Sequence, residues 1–354
     1  MLTQALFFVL GLATLVAGAE MLVRGASRLA VSWGITPLVV GLTVVAFGTS
    51  APEMAVSIGA AVSGSANLAI GNVVGSNIAN VLLILGLSAV IAPLLVHEQI
   101  IQQEIPILIG ASLIVVAMAL DGYVGRVESA LLFTGALAYT AFLVTQSRRA
   151  AKDAASDFIV EIPGSTWDRH WSIQTLLILG GLGLLVLGAD WLVGASVDFA
   201  KLIGVSDLVI GLTLVAIGTS MPEIATSLIA ALRGQRDIAV GNVIGSNIFN
   251  LLAVLGAAGV AAPSGLAVPE AARTFDLWVM LAVAFACLPI LLTGRQIARW
   301  EGALFLAYYA AYTIYLLLMA QQHDALTAYS NIMLSFVVPL TIVTLLVSFA
   351  ARHR

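Results

Sequence analysis

The stretch Gly41-Leu-Thr-Val-Val-Ala-Phe-Gly-Thr-Ser-Ala-Pro-Glu53 recurs 170 residues later as Gly211-Leu-Thr-Leu-Val-Ala-Ile-Gly-Thr-Ser-Met-Pro-Glu223. At the same offset, Gly71-Asn-Val-Val-Gly-Ser-Asn-Ile-Ala-Asn80 recurs as Gly241-Asn-Val-Ile-Gly-Ser-Asn-Ile-Phe-Asn250. The offset also relates Gly18-Ala-Glu20 to Gly188-Ala-Asp190 and Pro93 to Pro263, and with a small slip Arg126-Val-Glu128 to Arg299-Trp-Glu301. The chain is an internal duplication. Its most similar stretches are polar, and core packing alone does not require polarity, so the duplication points to a shared chemical site.

Around these motifs the chain is apolar. Of 354 residues, 60% are hydrophobic and only 10% charged, with a mean hydropathy of +1.06. A soluble domain carries about 25% charged residues; this chain has too few to cover a globular surface. That excludes a soluble enzyme and a disordered chain, the net charge of −4 excludes a basic nucleic-acid binder, and the single cysteine, Cys287, excludes a disulfide scaffold. What remains is a polytopic membrane protein.

A crossing helix needs about 20 apolar residues. Eleven runs qualify, at 5–29, 36–62, 67–92, 103–120, 127–146, 172–199, 206–231, 238–261, 274–292, 299–319 and 330–350. The first cation is Arg24 and a related segment recurs later, so the first run reads as a retained helix and not a signal peptide. With the N-terminus outside, alternate loops place twelve Lys and Arg inside, the tail residues Arg352 and Arg354 among them, and three outside (Arg126, Lys201 and Arg273). The expected architecture is all-α and polytopic: five spans in 1–147, a cytoplasmic loop at 148–171, five spans in 172–320 and an eleventh helix in 321–354, with the C-terminus inside. Two tandem copies of a five-span unit must lie upside down relative to each other, the pattern of secondary transporters with a site at the midplane.

The second run cannot be one regular helix. Gly48, Thr49, Ser50 and Pro52 interrupt it, and a proline lacks the amide proton an interior turn needs. The pattern predicts a half-helix ending near Phe47, a short non-helical link, and a second half-helix with Pro52 in its first turn. Carbonyls freed around Ala46 to Ser50 are candidate cation ligands, and the same holds around Gly218, Thr219, Ser220 and Pro222. Glu53 and Glu223 follow these breaks near mid-span. A carboxylate at that depth costs several kcal/mol unless paired, and no Lys, Arg or His lies in the apolar part of the four motif-bearing spans. The acids are then either protonated or bound to a cation. Inverted copies would bring them face to face among Thr and Ser hydroxyls, Asn amide oxygens and carbonyls, an all-oxygen set suited to hard cations such as Ca²⁺ or Na⁺ rather than zinc or copper.

Blander readings accompany these residues. Ser50-Ala-Pro-Glu53 and Ser220-Met-Pro-Glu223 have capping-box spacing, although capping alone does not explain two acids at a midplane. Ser76 and Asn80 share a helix face, as do Ser246 and Asn250; they read as ligands or site walls, against interhelical hydrogen bonding as the alternative. Both readings stay open for Asn72, Asn77, Asn242 and Asn247. Glu20 is expected to pair with Arg24 four residues on. Glu128, Asp276, Glu301, Trp33, Trp167, Trp171 and Trp300 read as interfacial anchors. No histidine is embedded, which removes a histidine proton relay.

At these motifs the chain resembles the calcium/cation antiporter superfamily, specifically its prokaryotic sodium/calcium exchanger branch, over residues 1–320. The paired stretches match that family's alpha repeats. The resemblance implies a central Ca²⁺ site around Glu53 and Glu223. It implies Na⁺ sites that draw on Ala46, Thr49, Ser50, Ser76 and Asn80 in the first repeat and on Ala216, Thr219, Ser220, Ser246 and Asn250 in the second. It implies ions as cargo without a prosthetic group, a lipid bilayer as surroundings with no nucleic acid or protein partner, and a multi-pass place in a bacterial or archaeal cell membrane. Spans 1 and 6 would slide over a core of the other eight, with Gly11, Gly18, Gly181, Gly183 and Gly188 giving smooth surfaces. Three Na⁺ per Ca²⁺ is the implied exchange. Asn250 stands where potassium-dependent relatives carry Asp, which implies independence from K⁺. The loop at 147–171 is too short for the Ca²⁺-sensing domains of animal exchangers. Within transport the rivals are proton/calcium exchange and a passive cation channel. An intramembrane carboxylate enzyme is disfavoured because the serines and asparagines offer no nucleophile–base pair.

Overall fold

The computed structural model describes residues 2–153, 170–202, 216–292 and 295–344. Gly211 to Val215 of the second motif, Trp167, most of the 148–171 loop and the C-terminal arginines lie outside them. In lipid every backbone amide and carbonyl must find its partner within the protein, so the apolar runs become helices. These are α1 (Thr3–Trp33), α2 in two arms (Pro37–Thr49 and Ala51–Val62), α3 (Ala66–Ile91), α4 (Ile100–Ala119), α5 (Arg126–Arg149), α6 (Trp171–Phe199), α7 (Met221–Leu232), α8 (Arg236–Ala261), α9 (Ala272–Ile290), α10 (Arg299–Ala320) and α11 (Ala325–Thr344). Among the described residues nine are long and apolar enough to cross a membrane, and the bent pair in α2 makes ten. The eleventh candidate, α7, is shorter, its described arm beginning after a turn at Ala216–Gly218.

Four two-residue strands fix how the halves are related. β1 (Leu94–Leu95) follows α3, and β2 (Tyr123–Val124) lies between α4 and α5; β3 (Leu266–Ala267) follows α8, and β4 (Gln296–Ile297) lies between α9 and α10. β1 pairs antiparallel with β4, and β2 with β3. β1 and β2 cap opposite ends of α4, whose 20 residues span about 30 Å at 1.5 Å per residue. β1 therefore lies on one face of the molecule, and its repeat counterpart β3 lies on the other. The halves are inverted. Side-chain links between loops agree: Arg295 meets Glu98 at 3.1 Å beside the β1–β4 pair, and Arg273 donates to the Leu120 carbonyl beside β2–β3.

The inversion is visible again where α1 and α6 cross the molecule antiparallel. A Cβ on Gly11 would sit 2.9 Å from the Gly188 carbonyl, and one on Gly18 would sit 2.8 Å from that of Gly181. Without side chains the two backbones touch directly, the usual reason for small residues at helix contacts in membranes. Gly183 does not belong to this seam; a Cβ there would meet nothing within 4 Å. Its face of α6 looks instead into a cavity of about 840 Å³ against α2.

The helices divide by burial. In α3 and α8, 72% and 83% of the apolar window is buried inside the protein, against 33% in each of α1 and α6. The two helices carrying the asparagine motifs are thus the protein core, and the broken helices pack on them. Gly241 and Gly245 of α8 lie against the α2 backbone, where a Cβ would come 3.0 Å from the Leu38 carbonyl and 2.7 Å from that of Leu42. By contrast α11 has none of its window buried.

The charged residues make contacts that helix spacing does not predict. Glu20 pairs with Arg233 at the end of α7, in the opposite half, through Nη2–Oε1 at 2.7 Å and Nε–Oε2 at 2.9 Å. A two-pronged guanidinium–carboxylate contact is better oriented than an i, i+4 pair along one helix. Glu128 and Glu301 turn back to accept the Gly125 and Ala298 amides, each at 2.7 Å, so they cap their own helices. Glu301 is buried, and an interfacial anchor would not be.

Candidate ion-binding site

The break in α2 is narrower than the sequence pattern predicts. The first arm runs to Thr49 and the second starts at Ala51, bent by 44°. Only Ser50 leaves helical geometry, at φ −80° and ψ 5°. Its amide still bonds the Ala46 carbonyl and its own carbonyl still accepts the Met54 amide, both at 3.0 Å. The proline is accommodated by one displaced residue because it sits in the first turn of a new helix, where its missing amide has no intrahelical partner to lose. The Ala46 carbonyl is therefore engaged rather than freed. In the second half Ser220 occupies the same conformation, φ −87° and ψ 8°, ahead of Pro222. The backbone of Ala216 opens the described part of that element.

The capping-box reading fails at both breaks, for neither Ser50 nor Ser220 makes a side-chain cap bond. Each hydroxyl crosses to the other half instead. Ser50 Oγ donates to Glu223 Oε1 at 3.2 Å, and Ser220 Oγ donates to Glu53 Oε1 at 3.3 Å. Ser220 Oγ also lies 3.5 Å from Ser76 Oγ. The reciprocal links hold the two carboxylates at one centre, and both residues are only 1% exposed. Thr49 donates to Asn242 Oδ1 at 3.1 Å, and Thr219 to Asn72 Oδ1 at 3.4 Å. Each asparagine is steadied by a serine one helix away, Asn72 by Ser57 and Asn242 by Ser227, both at 2.9 Å. Asn80 Nδ2 donates to Asn247 Oδ1 at 2.9 Å across α3 and α8.

After these bonds are made, a set of buried oxygens is left without a protein partner: Oε2 of Glu53 and of Glu223, Oδ1 of Asn77, Asn80 and Asn250, and Ser246 Oγ. A buried acceptor left unmade costs about 1–3 kcal/mol, more when charged. Most of these atoms are acceptors only, so what satisfies them must be positive or a proton donor. Among the described residues no three His, Cys, Asp or Glu gather as a metal cluster. The centre is two carboxylates supplemented by neutral oxygens, the ligand chemistry of Na⁺ and Ca²⁺. The helices also change pitch here, with π-helical segments starting at Asn80 and at Asn250. Such segments are frequent at functional sites, where they turn a side chain out of its regular position. The α2–α6 cavity reaches Gly48 and Ala51, on either side of Thr49 and Ser50, and has Asp190 on its wall.

Of the twelve residues singled out in the sequence, Ser50 with Glu223, and Ser220 with Glu53 and Ser76, form two hydrogen-bonded groups that interlock through the two helix breaks. Thr49 and Thr219 flank them, and Asn80, Ser246 and Asn250 carry buried, unpartnered oxygens on the core helices. Ser57 and Ser227 were passed over. The signal that could have found them was present: each follows its glutamate by four residues, on the same helix face, and they recur at the 170-residue offset. Replacing Asn242 with alanine removes the donor to the buried Ser227 hydroxyl and leaves Thr49 Oγ1 only its longer bond to the Ala46 carbonyl. The expected result is about tenfold weaker ⁴⁵Ca²⁺ binding, equivalent to about 1.4 kcal/mol, read by equilibrium binding to purified protein.

Inverted halves, broken helices and a buried oxygen-rich centre between them define a secondary transporter of cations. The comparison with known proteins agrees. The family model described as sodium/calcium exchanger protein matches residues 3–146 and 173–318, and the chain belongs to that family. It is 40% identical to the putative antiporter CaxA of Alkalimonas amylolytica, over 88% of this chain and 98% of that one. It is 34% identical to the sodium/calcium exchanger MaX1 of Methanosarcina acetivorans, over 88% and 97%. Among solved structures, the sodium-calcium exchanger NCX_Mj soaked with Na⁺ and Sr²⁺ superposes with a TM-score of 0.73 at 30% identity, covering 90% of this chain and 97% of that one. The protein is a multi-pass antiporter of the cell membrane, and among the described residues its regular structure is helical apart from four short strands.

Proposed function

We propose that the protein exchanges Ca²⁺ for Na⁺ by alternating access, with Glu53 and Glu223 as the charged ligands. Two carboxylates balance one Ca²⁺, and the surrounding hydroxyl and amide oxygens of Thr49, Ser50, Ser76, Asn80, Thr219, Ser220, Ser246 and Asn250 serve Na⁺ when the divalent ion leaves. The carbonyl of Ala216 adds to the set, and that of Ala46, which already accepts the Ser50 amide, joins it through its second lone pair once the Thr49 hydroxyl turns to an ion. The observation that carries this reading is the reciprocal serine–glutamate bonding, which holds both acids together while leaving one oxygen of each unpartnered. Its neighbours in sequence and structure support it, since MaX1 and NCX_Mj are described as exchangers of these ions.

Exchange of three Na⁺ for one Ca²⁺ moves one net charge, worth about 2.3 kcal/mol per 100 mV. Asn250 in place of a carboxylate leaves one negative charge fewer at the centre and supports exchange without K⁺. The cation bias of the loops supports an outer N-terminus and an inner C-terminus, with repeats at 1–147 and 172–320 joined by a cytoplasmic loop at 148–171 and followed by one further span in 321–354. In proteoliposomes, an outward-directed Na⁺ gradient is expected to drive ⁴⁵Ca²⁺ uptake uphill, faster with an inside-positive potential and unchanged by K⁺. Uptake driven by a pH gradient without Na⁺ would reassign the coupling to protons, and purely downhill movement would make the protein a channel.

A further inference from the structure

Outside the two motifs the fold repeats a second constellation. Glu104 near the start of α4 accepts a hydrogen bond from the Tyr139 hydroxyl of α5 at 2.7 Å, and Asp276 near the start of α9 accepts one from Tyr312 of α10 at 2.9 Å. The acids are 172 residues apart and the tyrosines 173, so the pairs are repeat counterparts. Their surroundings differ. Glu104 is fully buried, and its other oxygen accepts from Gln99 at 2.9 Å and Gln103 at 2.7 Å. Gln103 in turn exchanges bonds with Gln146 of α5. A carboxylate held by three donors fixes the phenol that completes the set.

The Tyr139 ring then meets Phe249 edge to face, with centroids 6.4 Å apart. Phe249 meets Phe47 in the same manner at 5.9 Å. Phe249 immediately precedes Asn250, where the π-helical segment of α8 begins, and Phe47 lies on the first arm of α2, two residues before Thr49. Ala46, Ala136 and Ala253 close the same small apolar cluster. At the counterpart of Phe249, residue 79 is Ala and offers no ring. Tyr312 stacks instead on Phe275, which stacks on Tyr315. One acid–tyrosine pair is joined to the asparagine motif of the opposite half through an aromatic bridge; the other ends in an aromatic stack on α9 and α10.

We infer that Glu104 and Tyr139 are positioning residues for ion binding: by fixing the edge of the Tyr139 ring against Phe249, they set the orientation of Asn250 and of the α2 arm that carries Thr49 and Ser50. The inference rests on the reading of Asn250 and Thr49 as ligands. It makes the two halves of the site unequal: Asn250 is backed by an aromatic bridge, whereas Asn80, held by its bond to Asn247, has none.

The test is equilibrium binding of ⁴⁵Ca²⁺ to purified full-length protein, with affinity and the number of sites read separately. Tyr139→Phe keeps the ring and deletes only the hydroxyl; Phe249→Leu deletes the bridging ring; Tyr312→Phe deletes the same hydroxyl from the unbridged pair. Tyr139→Phe and Phe249→Leu are each expected to weaken binding about three- to tenfold with the number of sites unchanged. Tyr312→Phe should leave affinity within twofold, and the double variant Tyr139→Phe/Phe249→Leu should be no weaker than Phe249→Leu alone. Equal effects of Tyr139→Phe and Tyr312→Phe, or fewer sites at unchanged affinity, would overturn the inference while leaving the ion site standing. Absence of ⁴⁵Ca²⁺ binding by the unsubstituted protein would overturn both.

Discussion

Glu53→Gln and Glu223→Gln are each expected to abolish Na⁺-driven ⁴⁵Ca²⁺ uptake in proteoliposomes. Glutamine keeps the size and hydrogen-bonding capacity of the side chain, so Ser220 can still donate to residue 53 and Ser50 to residue 223. What disappears is one of two negative charges at a centre only 1% exposed. In the loaded site each carboxylate and the divalent ion form a buried opposite-charge pair, and removing one partner of such a pair costs about 3–5 kcal/mol, more than about 100-fold in affinity. A divalent ion would be left facing a single carboxylate. The outcome that would refute the central site is uptake at half the normal rate or better in either variant, at matched protein per vesicle. Because the two serine links are reciprocal, the two variants should fail alike. A large difference between them would show that only one acid carries the divalent ion.

The second large effect is expected at the seam between α1 and α6. Gly18→Leu places a side chain where even a Cβ would lie 2.8 Å from the Gly181 carbonyl and from the Leu185 amide. Backbone cannot yield as a flexible side chain can, so the helices must separate or lose register, and overpacking costs about 1–3 kcal/mol or more. Uptake should fall at least about tenfold, because α1 and α6 must keep a smooth contact if they move together. Gly183→Leu is the matched control: it adds the same bulk to α6 at a position with open space around it, and it should retain at least half of the uptake. Equal loss in both variants would remove the seam as the cause and point to general sensitivity of α6. Purified yield and thermal melting separate failure to fold from failure to transport.

Much of the fold could be read along the chain because a bilayer makes each span a local problem. Twenty apolar residues become a helix wherever they occur, and the expected run at 238–261 differs from the observed Arg236–Ala261 by two residues at one end. The inverted arrangement also followed from counting, since an odd unit copied in tandem must flip. The acids and hydroxyls stood out because polarity at mid-span is costly and these residues were polar twice. Less legible were contacts between residues remote in sequence. Glu20 has a local candidate in Arg24, yet it also reaches Arg233 in the other half, and no spacing rule points to a partner there. Ser57 and Ser227 lie between the two strongest repeated stretches of each half, so no motif marks them, although they hold the asparagines that hold the threonines. Glu104 and Tyr139 form a pair only because the fold brings the start of α4 within side-chain reach of α5.

Hydropathy and duplication alone thus determined that this chain is a helical membrane protein with two copies of an oxygen-rich motif at span depth, because both follow from transfer free energies and from symmetry, which act residue by residue. Tertiary structure decided which oxygens share protons and which stay unpartnered: the serines serve the opposite half's glutamates and not their own helix ends, the break narrows to Ser50, and one tyrosine of two reaches a motif. Those choices depend on sub-ångström distances between helices far apart in the chain, which packing sets and periodicity does not encode.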